Sequence, residues 1–120
     1  MITVAPAHLV GTGGAVGAIL RHYVSQRTDI ERFPLGTLTV NVLGTFVLGL
    51  TVFLSGNDSI LLFFGIGACG SFTTYSSFSV ETIQLWEAGD RIRATANALL
   101  NLIGAAIALA IAQGITSLIA

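Results

Sequence analysis

Four long apolar segments, separated by short polar connections, dominate the pattern along this chain. They are residues 4–23, 35–54, 60–86 and 92–119. Each has the length of roughly 20 residues that a helix needs to cross the hydrocarbon of a bilayer. The charges within these segments are Arg21 near the end of the first, Glu81 in the third and Arg93 at the start of the fourth. The pattern therefore predicts an all-α membrane protein with a single four-helix transmembrane domain over residues 1–120.

The connections carry signals for helix ends. Gly89 suits a helix C-terminus, and Asp90 directly after it suits the N-cap of the last helix. Residues 55–59 are rich in turn formers, and residues 25–34 are charged and end at a proline. No basic region precedes the first segment, so we expect a transmembrane helix there and not a cleaved signal peptide.

The composition agrees with a membrane protein and excludes several other classes. Charged residues make up 9% of the chain, against about 25% in soluble domains. The net charge of −1 gives no reason to expect nucleic acid. Cys69 is the only cysteine, so an internal disulfide is excluded. We find no nucleophile–base pair or metal-ligand cluster in the sequence and therefore do not expect an enzyme.

Polar side chains recur along one face of the second and fourth segments. At four-residue spacing, residues share one face of a helix. The second segment carries Thr37, Asn41 and Thr45, and the fourth carries Asn97 and Asn101. Such stripes at membrane depth indicate either hydrogen bonds between helices or the lining of a polar path.

The third segment combines helix-weakening residues with a run of hydroxyls and aromatic rings. Gly70 begins the sequence Gly-Ser-Phe-Thr-Thr, which predicts a helix break near residues 70–74. Beyond it, one side of the helix presents Thr74, Ser77, Phe78 and Glu81, with Tyr75 close by. A ring edge suits an anion and a ring face suits a cation, so these residues leave the sign of the ion open.

Two features of the first segment have alternative interpretations. Arg21 closes this segment and is interpreted either as a functional cation or as a side chain that reaches the lipid headgroups. Gly13 and Gly17 place small residues on one side of the helix. They favour a close helix contact, either within the chain or between two chains.

Three stretches together resemble the Fluc/CrcB family of fluoride channels. They are Gly13–Arg21, the Gly-Thr-Leu-x-Val-Asn pattern of Gly36–Asn41, and the Thr-Thr-aromatic-Ser-x-Phe-Ser pattern within Gly70–Thr82. The likeness extends over the whole chain in segment order, length and spacing. It implies a subunit that pairs with a second, antiparallel subunit and exports fluoride passively from the cytoplasm, which confers fluoride resistance.

The resemblance also implies roles for individual residues. Each dimer would contain two pores, each built from both subunits. The pore amide matches Asn41 and the pore aromatics match Tyr75 and Phe78, while Arg21 and Glu81 match the family's helix 1 arginine and helix 3 glutamate. A structural sodium ion would lie on the dimer axis, held by the backbone carbonyls of Gly70 and Thr73.

The chain departs from the family pattern at several pore positions. Tyr75 stands where phenylalanine is usual. Asn97 and Asn101 stand in place of a tyrosine and a serine, and Ala105 in place of another serine. These changes leave open whether every pore that this subunit lines is conductive. The alternative function is therefore a non-conducting or partly degenerate partner in a heterodimeric fluoride channel.

The arginines predict one orientation in the cell membrane. Arg27, Arg32, Arg91 and Arg93 all lie in the connections on one side, which should be cytoplasmic. Both termini are then outside. Because an antiparallel partner must insert the other way, this bias favours a heterodimer with an oppositely biased homologue. The alternative is a homodimer whose chain inserts both ways.

A small multidrug transporter is a further alternative, because such transporters also have four short helices. Proton-coupled drug export needs a carboxylate within the membrane, and the first segment has none. The fluoride channel is the better interpretation.

Overall fold

The helices form four rods, the third of which is interrupted. The computed structural model describes residues 5–119. The elements are α1 (Pro6–Thr28), α2 (Leu35–Leu54), α3 (Asp58–Ile60), a π-helix (Leu61–Cys69), α4 (Gly70–Phe72), α5 (Tyr75–Glu87) and α6 (Arg91–Ile119). The third rod consists of α3, the π-helix, α4 and α5. The all-α class predicted from the sequence is confirmed.

Three of the rods are long and apolar enough to cross a membrane. They are Leu35–Leu54, Asp58–Glu87 and Arg91–Ile119. The 23 residues of α1 extend about 35 Å, which is also sufficient length, but its sequence is more polar. The prediction of four apolar spans is thus confirmed for three.

The first helix differs from its predicted boundaries. It continues to Thr28, five residues beyond the predicted end at residue 23, because residues 24–28 contain neither glycine nor proline. The predicted start at Val4 lies outside the described residues. The hydroxyls of Ser25 and Thr28 donate to carbonyls one turn earlier within α1, so this polar last turn satisfies its side chains locally.

The third rod breaks at Thr73 and Thr74, inside the window predicted from the sequence. The backbone of Thr73 has φ −82° and ψ 160°, and that of Thr74 has φ −147° and ψ 119°. Both conformations are extended. Thr74 then caps α5, because its Oγ1 accepts the N–H of Ser77 at 3.1 Å.

The first helix and the π-helix pack backbone against backbone. Gly13 and Gly17 are buried in this contact. A Cβ at Gly13 would overlap the carbonyl oxygen of Phe63, and one at Gly17 would overlap that of Ala68. The hydroxyl of Ser71 also donates to the Gly14 carbonyl at 2.7 Å. The paired glycines therefore serve contact within the chain, one of the two interpretations left open by the sequence.

The two connections that contain arginines lie at the same end of the bundle. The loop of residues 29–34 and the end of α5, at Gln84, Leu85 and Ala88, line one cavity. Gly89 has φ +85°, and Asp90 Oδ1 accepts the Arg93 N–H at 3.1 Å. The predicted helix end and N-cap are both confirmed. At the same boundary, Arg91 lies over the Trp86 ring, 4.8 Å from its centroid.

Candidate functional site

The carboxamide of Asn41 stabilises the break in the third rod by hydrogen bonds to the backbone. Its Oδ1 accepts the Thr74 N–H at 2.8 Å, and its Nδ2 donates to the Thr74 carbonyl at 3.1 Å. In a continuous helix, the Thr74 N–H would donate to the carbonyl of Gly70, four residues earlier. Asn41 accepts that N–H instead, so α2 satisfies both the N–H and the carbonyl of Thr74.

A row of hydrogen-bonded side chains, buried or half-buried, continues from Asn41 across α6 to α5. The second N–H of Asn41 donates to Asn101 Oδ1 at 2.9 Å. Asn101 Nδ2 donates to the backbone carbonyl of Asn97 at 2.8 Å and to its Oδ1 at 3.1 Å. Asn97 Nδ2 donates to Thr82 Oγ1 at 2.9 Å, and that hydroxyl donates to the Phe78 carbonyl at 2.7 Å. We call Asn41, Asn101, Asn97 and Thr82 the amide row.

Backbone partners fix the orientation of the two amides that meet in this row. Asn41 faces both the N–H and the carbonyl of Thr74, so its oxygen and nitrogen cannot exchange places without losing both bonds. Asn101 Nδ2 faces the Asn97 carbonyl, which can only accept. The oxygen of Asn101 must therefore face Asn41. Both N–H groups of Asn41 are engaged within the protein.

A cavity of about 540 Å³ lies along this part of the bundle. Its lining residues come from α2, the helix break, α5 and α6. They are Asn41, Thr45, Leu48, Thr73, Thr74, Tyr75, Phe78, Ala98, Asn101, Leu102 and Ala105. The lining contains no charged side chain among the described residues, and it combines apolar walls with hydroxyls, amides and aromatic rings.

The two aromatic rings lie next to each other at the edge of the cavity. The ring centroids of Tyr75 and Phe78 are 6.1 Å apart, and the ring planes are tilted by 48°. Tyr75 is 81% exposed. An exposed tyrosine hydroxyl in a membrane-spanning rod needs either water or a second molecule around it, because hydrocarbon offers no hydrogen-bond partner.

Glu81 lies apart from this cavity, nearer the arginine-bearing end. Its Oε1 accepts the hydroxyl of Thr37 at 2.9 Å. Its Oε2 is buried and lacks a hydrogen-bond partner within residues 5–119. Ser77 and Glu81 line a second, smaller cavity together with Ser76, Val80 and Gln84. The structure thus divides the predicted site residues of the third rod between two cavities.

The predicted site residues are brought together to different degrees. Those that meet at the main cavity are Asn41, Thr73, Thr74, Tyr75, Phe78 and Asn101. Asn97 is fully buried and reaches this group through Asn101. Arg21 is partly exposed on α1 and, in the part of the chain described, is not among the cavity's lining residues.

Sequence reasoning missed Thr82 as a member of the amide row. Thr82 lies four residues after Phe78 and eight after Thr74, and this helical spacing is the signal that could have found it. The sequence placed Thr37 on the polar face of α2 but gave no reason to pair it with Glu81, because these residues lie 44 positions apart.

The break also leaves backbone carbonyls free, including those of Gly70 and Thr73. Among the described residues, no hydrogen bond is made to the carbonyl oxygen of Gly70 or of Thr73. Gly70 is exposed. Carbonyl oxygens at a broken helix are the kind of ligand that holds sodium ions in membrane proteins, so these two positions fit such an ion chemically.

The sequence was compared with known families and proteins. The family model described as CrcB-like protein, Camphor Resistance (CrcB), matches residues 8–114. A protein of Haloarcula marismortui named fluoride-specific ion channel FluC 2 is 50% identical over 99% of this chain and 100% of its own length. FluC 1 of Halobacterium salinarum is 48% identical over 89% of this chain and 90% of its own length. FluC 3 of Methanosarcina acetivorans is 46% identical over 83% of this chain and 95% of its own length. With these matches added to the broken third rod and its cavity, the chain belongs to the CrcB family.

Proposed function

We propose that this chain is a subunit of a fluoride-selective channel that lets fluoride leave the cytoplasm passively and so confers fluoride resistance. The observation that carries the proposal is its 50% identity, over 99% of its length, to a protein named fluoride-specific ion channel. The uncharged cavity at the helix break supports the same function.

The chemistry of the cavity suits a small anion in transit. Fluoride is strongly hydrated, so a pore must offset the loss of its water with closely placed donors. The positive edges of Tyr75 and Phe78 offer such donors, and so do the N–H groups of Asn41 once an anion displaces a partner that they have within the protein. A fixed cation would hold fluoride too firmly, whereas moderate binding permits conduction.

A second, antiparallel subunit would complete this path. The cavity lies open on the surface of the subunit at membrane depth, and Tyr75 at its edge is 81% exposed. Polar groups at this depth must face protein or water. Pairing would cover the exposed ring and enclose the cavity between two chains, while lipid would surround the remaining apolar faces.

The resemblance also implies a structural sodium ion on the dimer axis. The free carbonyl oxygens of Gly70 and Thr73 are the groups of this chain that would bind it. When bound, the ion would provide an electrostatic partner for the carbonyl oxygens that the break exposes. Two carbonyls from each of two subunits would provide its ligands.

The arginine-bearing connections support an orientation with both termini outside. They lie at one end of the bundle, where Arg27 also lies over the ring of Tyr23 at 5.7 Å. Positive residues at one end favour the cytoplasmic side for that end. This one-sided bias favours a heterodimer with an oppositely biased homologue over a homodimer whose chain inserts both ways.

Liposome efflux tests the function. The chain is reconstituted alone and together with an oppositely biased homologue, and fluoride release is followed with an electrode. We expect fluoride release and no comparable chloride release. Absence of release in both preparations would favour the non-conducting partner subunit, an alternative supported by Ala105 in the cavity wall. Drug export driven by a proton gradient would instead identify a multidrug transporter.

Topology reporters fused to the C-terminus test the orientation separately. We expect signal from the external face and little fluoride efflux from the chain alone. Equal signals from both faces, together with strong efflux from the chain alone, would establish a dual-topology homodimer and contradict the heterodimer.

A further inference from the structure

Asn101 accepts a hydrogen bond at the position where an anion would bind Asn41. We infer that Asn101 competes with the transported anion for one N–H of Asn41 and thereby sets the anion affinity of this subunit. The inference rests on the proposed function, because it assumes that an anion passes Asn41. It assigns Asn101 a role in anion affinity rather than in direct contact with the ion.

The two N–H groups of Asn41 differ in what their release would cost. One donates to the Thr74 carbonyl, beside the bond from the Thr74 N–H to Asn41 Oδ1. Removing it would disturb the paired contact that satisfies the helix break. The other donates only to Asn101 Oδ1, at 2.9 Å. An anion can therefore obtain this second N–H while the break stays intact.

The surroundings of Asn101 allow that exchange. Asn41 and Asn101 both line the main cavity, so their hydrogen bond lies at its wall. Ala98 and Ala105 lie about one turn before and after Asn101 on the same face of α6, and both also line the cavity. Small neighbours on both sides leave room for the Asn101 side chain to move. Asn101 is 8% exposed, whereas Asn97 is fully buried.

Replacement of Asn101 Oδ1 by an anion as the acceptor of the Asn41 N–H gives a stronger hydrogen bond. A hydrogen bond to an ion is roughly twice as strong as one between neutral groups. The anion must nevertheless displace the neutral bond to Asn101, and a bond of that kind changes an equilibrium by about threefold to tenfold. Removing the Asn101 oxygen should therefore increase the apparent affinity for fluoride by that factor.

The experiment measures the fluoride concentration that gives half-maximal efflux, in the assembly that supports wild-type efflux. Asn101→Ala removes the competing oxygen and should lower this concentration by about threefold to tenfold. Asn101→Asp keeps an oxygen beside Asn41 and adds a negative charge, so it should raise the concentration at least about tenfold.

Thr116→Ala is the matched control from the same helix. It removes a buried hydroxyl that donates to the Gln113 carbonyl at 2.9 Å, and Thr116 lies outside the set of residues that line the main cavity. We expect lower thermal stability with an unchanged half-maximal concentration. A purely structural role for Asn101 predicts this same result for Asn101→Ala.

The outcomes separate this inference from the proposed function. An unchanged or raised half-maximal concentration in Asn101→Ala, with normal wild-type efflux, would overturn the inference alone. If Asn101→Ala does not fold, Asn101→Asp decides, and an unchanged or lowered concentration in that variant would also overturn it. Wild-type protein that releases no fluoride, alone or with a partner, would overturn the proposed function and the inference together.

Discussion

Two helix contacts in this small bundle are built on opposite principles. In the contact of α1 with the π-helix, buried glycines let the two backbones meet with almost no side chain between them. In the contact of α2 with α5 and α6, buried and half-buried amides form hydrogen bonds across the gap. The first contact depends on shape, and the second depends on the direction of donors and acceptors.

The difference explains where a polar path can form. A backbone contact between glycines leaves neither space nor free polar groups, so it can only support the structure. The amide row needs side chains long enough to reach between helices, and these hold the helices apart beside a cavity of about 540 Å³. Support and candidate function therefore occupy different faces of the third rod.

Breaking the glycine contact should have the largest effect. In Gly17→Ala, the new Cβ would overlap the carbonyl oxygen of Ala68, which is backbone and cannot move aside alone. We expect a loss of about 3 kcal/mol or more, at the upper end for overpacking, seen as a lower melting temperature and less monodisperse protein in detergent.

Gly14→Ala is the matched control on the same helix. Its Cβ would lie 3.9 Å from the carbonyl oxygen of Gly67, an ordinary contact. The control should express and melt like the wild type. Equal destabilisation by both substitutions would contradict the assigned contact.

Changing the amide row at Asn41, where it meets the helix break, should strongly reduce efflux with less damage to folding. Asn41→Asp keeps an acceptor for the Thr74 N–H but places a carboxylate oxygen against the Thr74 carbonyl and Asn101 Oδ1. The charge should also repel an anion, so fluoride efflux should fall at least about tenfold while size-exclusion chromatography still shows assembled protein.

Asn57→Asp makes the same substitution where the chain uses only the oxygen. Asn57 Oδ1 accepts the N–H groups of Ser59 and Ile60 at the start of α3. Efflux of this control should match the wild type. Unchanged efflux in Asn41→Asp would remove Asn41 from the path.

Substitutions of the two aromatic residues test the contribution of the rings to efflux without altering the amides. Phe78→Ile keeps an apolar side chain but removes the ring edge, and efflux should fall by roughly twofold to tenfold. Tyr75→Phe retains the ring and should change efflux by less than about twofold. Normal efflux in Phe78→Ile would show that ring edges do not guide the ion past this residue.

The smallest effect is expected at Asp90, an N-cap outside both contacts. Hydrogen bonds from Arg93 lower the pKa of Asp90 below its ordinary value. A carboxyl with a lowered pKa stabilises the fold above its unfolded pKa, and that contribution disappears as the pH falls through the folded pKa. Asp90→Ala should therefore melt slightly below the wild type at neutral pH.

Melting curves recorded over a pH series check the sign. The difference between Asp90→Ala and wild type should shrink as the pH falls below the ordinary pKa of an aspartate, about 3.9, and through the lowered pKa of Asp90. A difference that widens toward low pH would contradict this assignment.

Much of the fold and part of the site could be predicted from residue spacing. Apolar length gave four rods, of which three meet the criteria for spans. Gly89 and Asp90 marked a helix boundary, and the clustered hydroxyls marked the break. Asn41 and Asn101 were singled out because each lies on a polar face. Their contact, between residues 60 positions apart, could not be read from either face alone.

Neighbours along the chain are sufficient to predict the apolar lengths, the caps, the weak point of the third rod and the one-sided arginines. The partners of the polar groups, in contrast, follow from the tertiary structure. It directed the amide of Asn41 to the backbone of Thr74 and to Asn101, and it separated Glu81 from the main cavity. The physical reason is that a hydrogen bond requires atoms within about 3 Å of each other, and that proximity arises only when distant helices pack together.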